Sequence, residues 1–512
     1  MTELTTASTP TRPALHHSVS HDGREASVLA IDAGTTGVTA LVVTADGRID
    51  GRGYEEFAQH FPHPGWVEHV PEEIWQATLA ACRTALDAAT TRPCCVGITN
   101  QRETAVLWDR ATLAAPRRAI VWQDRRTTAV CERMREHEPR VSELTGLRLD
   151  PYFTGTKLTW LAENDPRAWK RTATGEVALG TVDSYLIARL TGGARHVTDP
   201  SNASRTLLYD IAAGEWSAEL CDLFGVPSAA LPRIVPNYGE IGRTSPEAFL
   251  GLDLPITGVA GDQQAALFGQ TCFSPGDIKC TYGTGSFILV NTGGRIVRSH
   301  AGLLTTVAWQ APSGEMTYAL EGSIFVTGAA VQWLRDGLGL IQAAADSEFA
   351  AASVPDSGGV VFVPALTGLG APYWDPDARG TILGITRGTR AAHLVRATLD
   401  AITFEVRDIV EAIREMGVET AVLKADGGAS GNDLLMRLQA DQLGTPVERP
   451  VVQETMALGA AFLAGLGAGV WSSPEELRET WRLDRRFEPG PDDGTGYARW
   501  KRAVERARDW AD

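Results

Sequence analysis

A lone carboxylate followed by two amides, Asp262-Gln263-Gln264, stands directly after the small and apolar run 255–261 (PITGVAG). A carboxylate placed at a strand end can accept a proton from an alcohol, and the amide of Gln263 beside it can grip the same molecule. Three small-residue turns lie far away in the chain: Asp32-Ala33-Gly34-Thr35-Thr36, Gly283-Thr284-Gly285 and Asp426-Gly427-Gly428-Ala429. Glycine lets backbone N–H groups approach a phosphate because no Cβ intervenes, and threonine hydroxyls add donors. Asp32 suits a hydrated Mg²⁺, which takes one or two carboxylates together with phosphate oxygens. A base, phosphate cradles and a metal carboxylate are the parts needed to hold a nucleotide and deprotonate an alcohol. Taken singly each is weak, because Asp262 also fits a helix N-cap and turns need glycine in any case.

The run Asn100-Gln101-Arg102-Glu103-Thr104 is harder to explain by packing, since it ends an apolar strand. In a cleft, Arg102 donates and Glu103 accepts, which suits the hydroxyls of a polyol and rejects molecules that lack them. Trp122, Tyr152 and Phe287 are candidates for the apolar walls of such a pocket, although an isolated aromatic is more often core.

These residues need elements to position them. Residues 28–31, 40–43, 96–99, 105–108, 256–260 and 421–426 read as strands, and Asp46-Gly47 as a hairpin turn. Helical spacing covers 71–89, 328–338, 391–416 and 432–443. Alternating strands and helices predict an α/β protein with helices flanking mixed sheets. A chain of 512 residues exceeds one hydrophobic core, so two large domains are expected, 27–255 and 256–512, with the ligand cleft between them. Residues 1–26, rich in Ser, Thr, Pro and His, read as a disordered extension, and His16, His17 and His21 as part of a solvated tail.

The formal charge of −16 argues against a nucleic-acid partner and requires any anion site to be built locally from amides, a metal and a few cations. No apolar run suggests membrane insertion, and no signal peptide is visible. The seven scattered cysteines show no metal-ligand spacing and read as free thiols of a cytoplasmic protein.

Taken together these residues resemble the FGGY carbohydrate kinases. The matching stretches include 98–104 (ITNQRET), 119–127 (AIVWQDRRT), 150–157 (DPYFTGTK), 197–206 (VTDPSNASRT), 260–270 (AGDQQAALFGQ) and 281–286 (TYGTGS). Others are 318–336, 362–388 and 454–465, so the likeness covers nearly all of the chain beyond its tail. The resemblance implies two actin-like, ribonuclease-H-type domains with ATP and Mg²⁺ in the cleft, and transfer of the γ-phosphoryl group to a terminal hydroxyl of glycerol. Residue by residue it assigns Arg102, Glu103, Tyr152, Asp262 and Gln263 to the polyol, and Trp122 and Phe287 to its walls. Asp262 matches the general base; Asp32 matches the metal-associated carboxylate, with Asp262 also near the metal. Thr35, Thr36, Thr284, Gly328, Gln332, Gly428 and Asn432 match nucleotide contacts. A homodimer or homotetramer is also implied. The first turn departs from the family pattern: Ala33, Gly37, Val38 and Thr39 stand where Gln, Ser, Ser and Arg are usual, which removes a cation from beside the transferring phosphate. Two alternatives stay open: a kinase for another small polyol or sugar (erythritol, threitol, a ketopentose), and a nucleotide- or polyol-binding pseudokinase.

Overall fold

The structure, a computed structural model, describes residues 26–511. The extension 1–26, with its three histidines, lies outside the described residues except for Ala26.

The first sheet is built from β1 (Ser27–Ala33), β2 (Gly37–Thr44), β3 (Ile49–Glu56), β4 (Pro93–Asn100), β5 (Tyr238–Arg243) and β6 (Pro255–Gly261), in the order β5-β6-β4-β1-β2-β3. β1, β2 and β3 form an antiparallel ribbon, β4 and β6 continue parallel to β1, and β5 closes the far edge antiparallel. The second sheet comprises β7 (Ile278–Tyr282), β8 (Ser286–Gly293), β9 (Leu304–Gln310), β10 (Met316–Ile324), β11 (Leu423–Asp426), β12 (Val447–Pro450) and β13 (Leu483–Phe487). Its order is β9-β10-β8-β7-β11-β12-β13, with β7, β11 and β12 parallel and the remaining pairings antiparallel. The same five-strand plan therefore occurs twice: an antiparallel ribbon running into two further parallel strands, with extra antiparallel strands only at the edges. These are the two ribonuclease-H-type units that the resemblance implies.

The strands that pair on both sides are buried along nearly their whole length, as in β1 and β7. Sheets with parallel pairs need a helix layer on each face, which explains the near-continuous apolar runs. Helix α1 (Pro71–Ala88) covers one face of the first sheet. Pro71 pre-sets its first turn, Glu72 and Glu73 meet the positive end of its dipole, and Ile74, Trp75, Ala81 and Ala85 pack inward. α2 (Asp262–Gly269) starts directly after β6. α3 (Gly328–Asp336), α4 (Ala391–Glu415) and α5 (Asp433–Leu443) belong to the second unit, where α4 buries Val395, Leu399, Ile402, Val406, Ile409 and Ile413 against its sheet.

Two findings correct the division at residue 255. The strand 255–261, which the sequence reading assigns to the opening of the second half, pairs with β4 and completes the first sheet. The second sheet opens at Ile278. Helix α6 (Thr455–Ala468) then returns to the first unit, contacting β1, β4, β6 and α2. α6 is apolar nearly all round and buried from Ala457 to Gly465, as expected of a helix with protein on every side. Glycines allow this close approach: a Cβ at Gly97 would lie 2.1 Å from the Ala460 carbonyl oxygen, and one at Gly459 would lie 1.8 Å from that of Ala265.

Candidate active site at the strand ends

β1, β4 and β6 are neighbours in register, with Asp32 opposite Thr99, and Asn100 between Ala33 and Gly261. Their carboxyl ends therefore deliver Asp32, the run 100–104 and Asp262 to one edge of the sheet. The crevice beyond the carboxyl ends of parallel strands is where α/β proteins place ligands. Beyond Asn100 the chain turns sharply: the Thr104 N–H donates to the Arg102 carbonyl at 2.7 Å, and Glu103 sits at φ 61°. A left-handed glutamate is strained by about 1 kcal/mol or more, and such strain persists where the surroundings over-determine it.

Those surroundings are a buried ion cluster. Arg102 donates through Nη1 and Nη2 to both oxygens of Glu321 at 2.6 and 3.1 Å, through Nη1 to Gln264 Oε1 at 3.1 Å, and lies with Nε 3.0 Å from Asp262 Oδ1. Arg205 donates to Glu103 Oε1 at 2.6 Å and to Glu321 Oε1 at 2.9 Å. Burial works to raise the Glu321 carboxyl, but Arg102 and Arg205 outweigh it and bring it down to about 2, so it stays ionised. Burial dominates at Glu103 and Asp262 and holds both above the usual carboxylate range, against the pull of Arg102. The exposures differ: the Asp262 side chain is 21% exposed, whereas Glu103 is 2% and Glu321 0%. Asp262 is the most exposed carboxylate of this cluster.

Three aromatic rings stand around this point. Trp122 meets Tyr152 edge to face at 5.6 Å and Phe287 at 6.4 Å, while the Arg102 guanidinium lies 5.9 Å over Phe287. Trp122 has a second role, since its Nε1 donates to Thr35 Oγ1 at 2.9 Å and ties the aromatic wall to the first glycine turn. Gln101 makes a parallel link, donating to the Gly34 carbonyl at 2.9 Å and accepting from Thr104 Oγ1 at 2.8 Å.

The second sheet repeats the arrangement. Thr281 of β7 is opposite Asp426 of β11, so the Gly283 and Gly427 turns leave adjacent strand ends. The N–H groups of Gly328 and Ala329, opening α3, donate to the carbonyls of Gly283 and Thr284, which brings Thr284 and Gly328 together. A Cβ at Gly328 would lie 2.7 Å from the Gly283 oxygen. Gln332 follows on the exposed side of α3. Gly428 has open space around it, and Gly427 holds φ 84° with its Cα against Tyr282. Asn432 caps α5 by accepting from the Leu435 N–H at 2.9 Å, a structural duty that the sequence reading does not foresee. Gln263 is buried, and its Oε1 accepts from Lys279 Nζ.

Asp32 is half-buried, and its Oδ1, shut off from solvent, has no hydrogen-bond partner. Burial, reinforced by the charge of Asp262, pushes its carboxyl up to about 8. An unpartnered oxygen beside a second carboxylate fits a divalent cation that keeps most of its waters, and Asp32 with Asp262 would hold it. No group of three or more His, Cys, Asp or Glu placed to hold a metal ion occurs among the described residues.

The sequence reading misses Arg205, Glu321, Lys279 and Gln264, the residues that hold the predicted ones in place. Lys279 offered a signal, as a lysine inside the apolar strand 278–282. Such a charge is buried only with partners, here Gln263, Thr281 and the field of Asp426.

The arrangement defines a two-lobed phosphotransferase, and comparison with known proteins gives the class. The N-terminal domain of the FGGY family of carbohydrate kinases matches residues 27–269 and the C-terminal domain matches 278–468, so the chain belongs to this family and is a kinase. Among relatives, the glycerol kinase of Aromatoleum aromaticum is 56% identical over 94% of this chain and 99% of its own length. Among solved structures, Plasmodium falciparum glycerol kinase with ADP superposes with a TM-score of 0.87 at 35% identity, covering 94% of this chain and 98% of that one. The xylulose kinase of Rhodospirillum rubrum, at 25% identity, reaches a TM-score of 0.81 over 94% of this chain and 98% of its own.

Proposed function

We propose that this kinase transfers the γ-phosphoryl group of ATP to a terminal hydroxyl of glycerol, giving sn-glycerol 3-phosphate and ADP. The observation that carries the reading is the partly exposed Asp262 carboxylate, held 3.0 Å from Arg102 within a ring of three aromatics. Relatives about half identical over almost their full length bear the name glycerol kinase.

Asp262 accepts the proton of the attacking hydroxyl as the new O–P bond forms and the bond to ADP breaks. A general base in hydrogen-bond reach contributes on the order of 10²–10⁴ in rate. Its raised carboxyl is a stronger base than an exposed aspartate. Arg102 and Glu103 orient the other hydroxyls, while Trp122, Tyr152 and Phe287 cover the carbon chain and exclude longer acceptors. Gln263, steered by Lys279, lines the same pocket. Thr35, Thr36, Thr284, Gly328, Gln332, Gly428 and Asn432 receive the nucleotide from both lobes. Mg²⁺, when bound at Asp32 and Asp262, neutralises charge on the phosphates, which phosphoryl transfer requires more than covalent help. Closure of the lobes excludes water as a competing acceptor.

The same reading carries a cytoplasmic location and a homodimer or homotetramer, which sedimentation measures. The described cysteines are all unpaired, and no described helix is long and apolar enough to cross a membrane. The deciding experiment is ADP release with glycerol, erythritol, threitol, a ketopentose or no acceptor. Glycerol is expected to give the highest kcat/KM. A ketopentose preference would transfer the reading to a sugar kinase, and acceptor-independent binding without turnover would leave only a nucleotide sensor.

A further inference from the structure

The turn between β1 and β2 and the strand that follows it carry no cation, since residues 33–44 include no Lys or Arg and Thr39 is short and uncharged. In the strand register Asp32 is opposite Thr39, and Thr39 is opposite Tyr54 of β3, so the three form one cross-strand row on one face of the sheet. Neighbouring strands are about 4.8 Å apart, which sets Tyr54 two such steps from Asp32 with only the short Thr39 between them. The Tyr54 ring does not stand upright but lies across Gly37. A Cβ built at Gly37 would be 2.8 Å from both Cε2 and Oη of Tyr54. Gly37 closes the turn, accepting from the Gly34 N–H at 3.0 Å, so the phenol lies against the residue that ends the Gly34-Thr35-Thr36 segment. β3 is locked to that segment by the Phe57 N–H, which donates to the Thr36 carbonyl at 3.2 Å, and by Gln59 Nε2 on the Thr35 carbonyl at 3.3 Å. Tyr54 is 44% exposed, and its hydroxyl has no hydrogen-bond partner among the described residues.

A large aromatic held flat by a glycine, with an unused O–H beside a phosphate-type turn, is placed to donate to an anion. We propose that Tyr54 is a nucleotide-binding residue whose hydroxyl donates to a phosphate oxygen of the bound nucleotide, supplying as a neutral donor what the turn lacks as a cation. The proposal rests on the nucleotide role given above to the Thr35-Thr36 turn. Gly37 is its necessary companion, because any side chain there would displace the ring.

The test is Tyr54→Phe, which removes one oxygen from an exposed side chain and leaves the ring on Gly37. The variant should melt with the parent and keep its glycerol KM. Its kcat/KM for ATP should fall by about tenfold, the scale of a hydrogen bond to a charged group. Calorimetry on the ligand-free proteins separates this from the function itself: Tyr54→Phe should weaken ATP and ADP binding but leave adenosine binding unchanged. If the parent binds ATP yet phosphorylates no glycerol, the functional reading falls while the binding comparison still decides Tyr54. ATP affinity within twofold of the parent, or equal losses for ATP and adenosine, would overturn the proposal.

Discussion

In the proposed reaction Asp262 is the base, and its surroundings explain how it differs from its acidic neighbours. Glu321 is fully committed to two arginines, Glu103 to Arg205, and Asp262 shares Arg102 while remaining the most exposed of the three. Asp262→Asn is expected to cut kcat by roughly 10²–10⁴ while glycerol still binds, measured by turnover and by calorimetry. Because burial raises the Asp262 carboxyl, with Arg102 opposing, its proton is retained above the ordinary aspartate range. Activity requires the ionised form, so the acid limb of kcat/KM should fall at a pH above the usual aspartate value of 3.8 and disappear in Asp262→Asn. Trp122→Phe keeps the apolar wall and deletes the N–H that reaches Thr35. The expected outcome is a glycerol Kd changed by less than about threefold, with loss of the tightening that a bound ATP analogue confers on glycerol, since one neutral hydrogen bond is worth about 1 kcal/mol. At this scale the sequence pointed to Asp262, Arg102 and Glu103 as polar side chains at strand ends, and the fold brings the three together. It concealed Arg205 and Glu321, which come from segments distant in the chain and meet only through folding.

The elements were legible wherever a period was strong. The helices 71–88 and 391–415 end within one residue of where helical spacing sets them, and the strands 27–33, 37–44 and 93–100 contain the apolar runs 28–31, 40–43 and 96–99 and extend up to three residues beyond them. The partner of one strand and the whole of one helix were not. The strand 255–261 looks the same from the sequence whichever sheet it joins, because parallel pairing is a long-range choice. α6 has no polar face and hence no period, because protein surrounds it. Gly459 in α6 presses on the Ala265 carbonyl, so Gly459→Ala should destabilise by about 1–3 kcal/mol and lower Tm by several degrees in a thermal melt. In α4, Glu405 is buried with Oε2 unpartnered, and burial together with Asp408 raises its carboxyl well above the ordinary 4.5. The folded state therefore holds a proton that the unfolded state releases, and stability falls as pH rises from the unfolded value through the folded one. Glu405→Gln should raise Tm by a few degrees near pH 8 and by less near pH 5.

Over the whole molecule, two sheets of one plan present their glycine turns from opposite sides. The sequence shows the duplication only as a likeness of layout, strands then a small-residue turn then helices, since the shared feature is strand order and the residues themselves differ. With both turns needed for one nucleotide, glycerol together with a non-hydrolysable ATP analogue is expected to reduce the radius of gyration in solution scattering, more than either ligand alone. Unchanged scattering with both bound would rule out closure as the step that excludes water.

The return of α6 to the first sheet also governs how the protein is made. When the ribosome has completed β6 and α2, every strand of the first lobe exists, yet the face carrying Val28, Ala30, Leu41 and Val43 still awaits Ala457, Ala460, Ala461 and Leu463. That bare face must be shielded while the second lobe is synthesised. A chain stopped at the junction between the sheets is therefore expected to be insoluble on expression, and a soluble, folded fragment would show that the first half covers this face without α6.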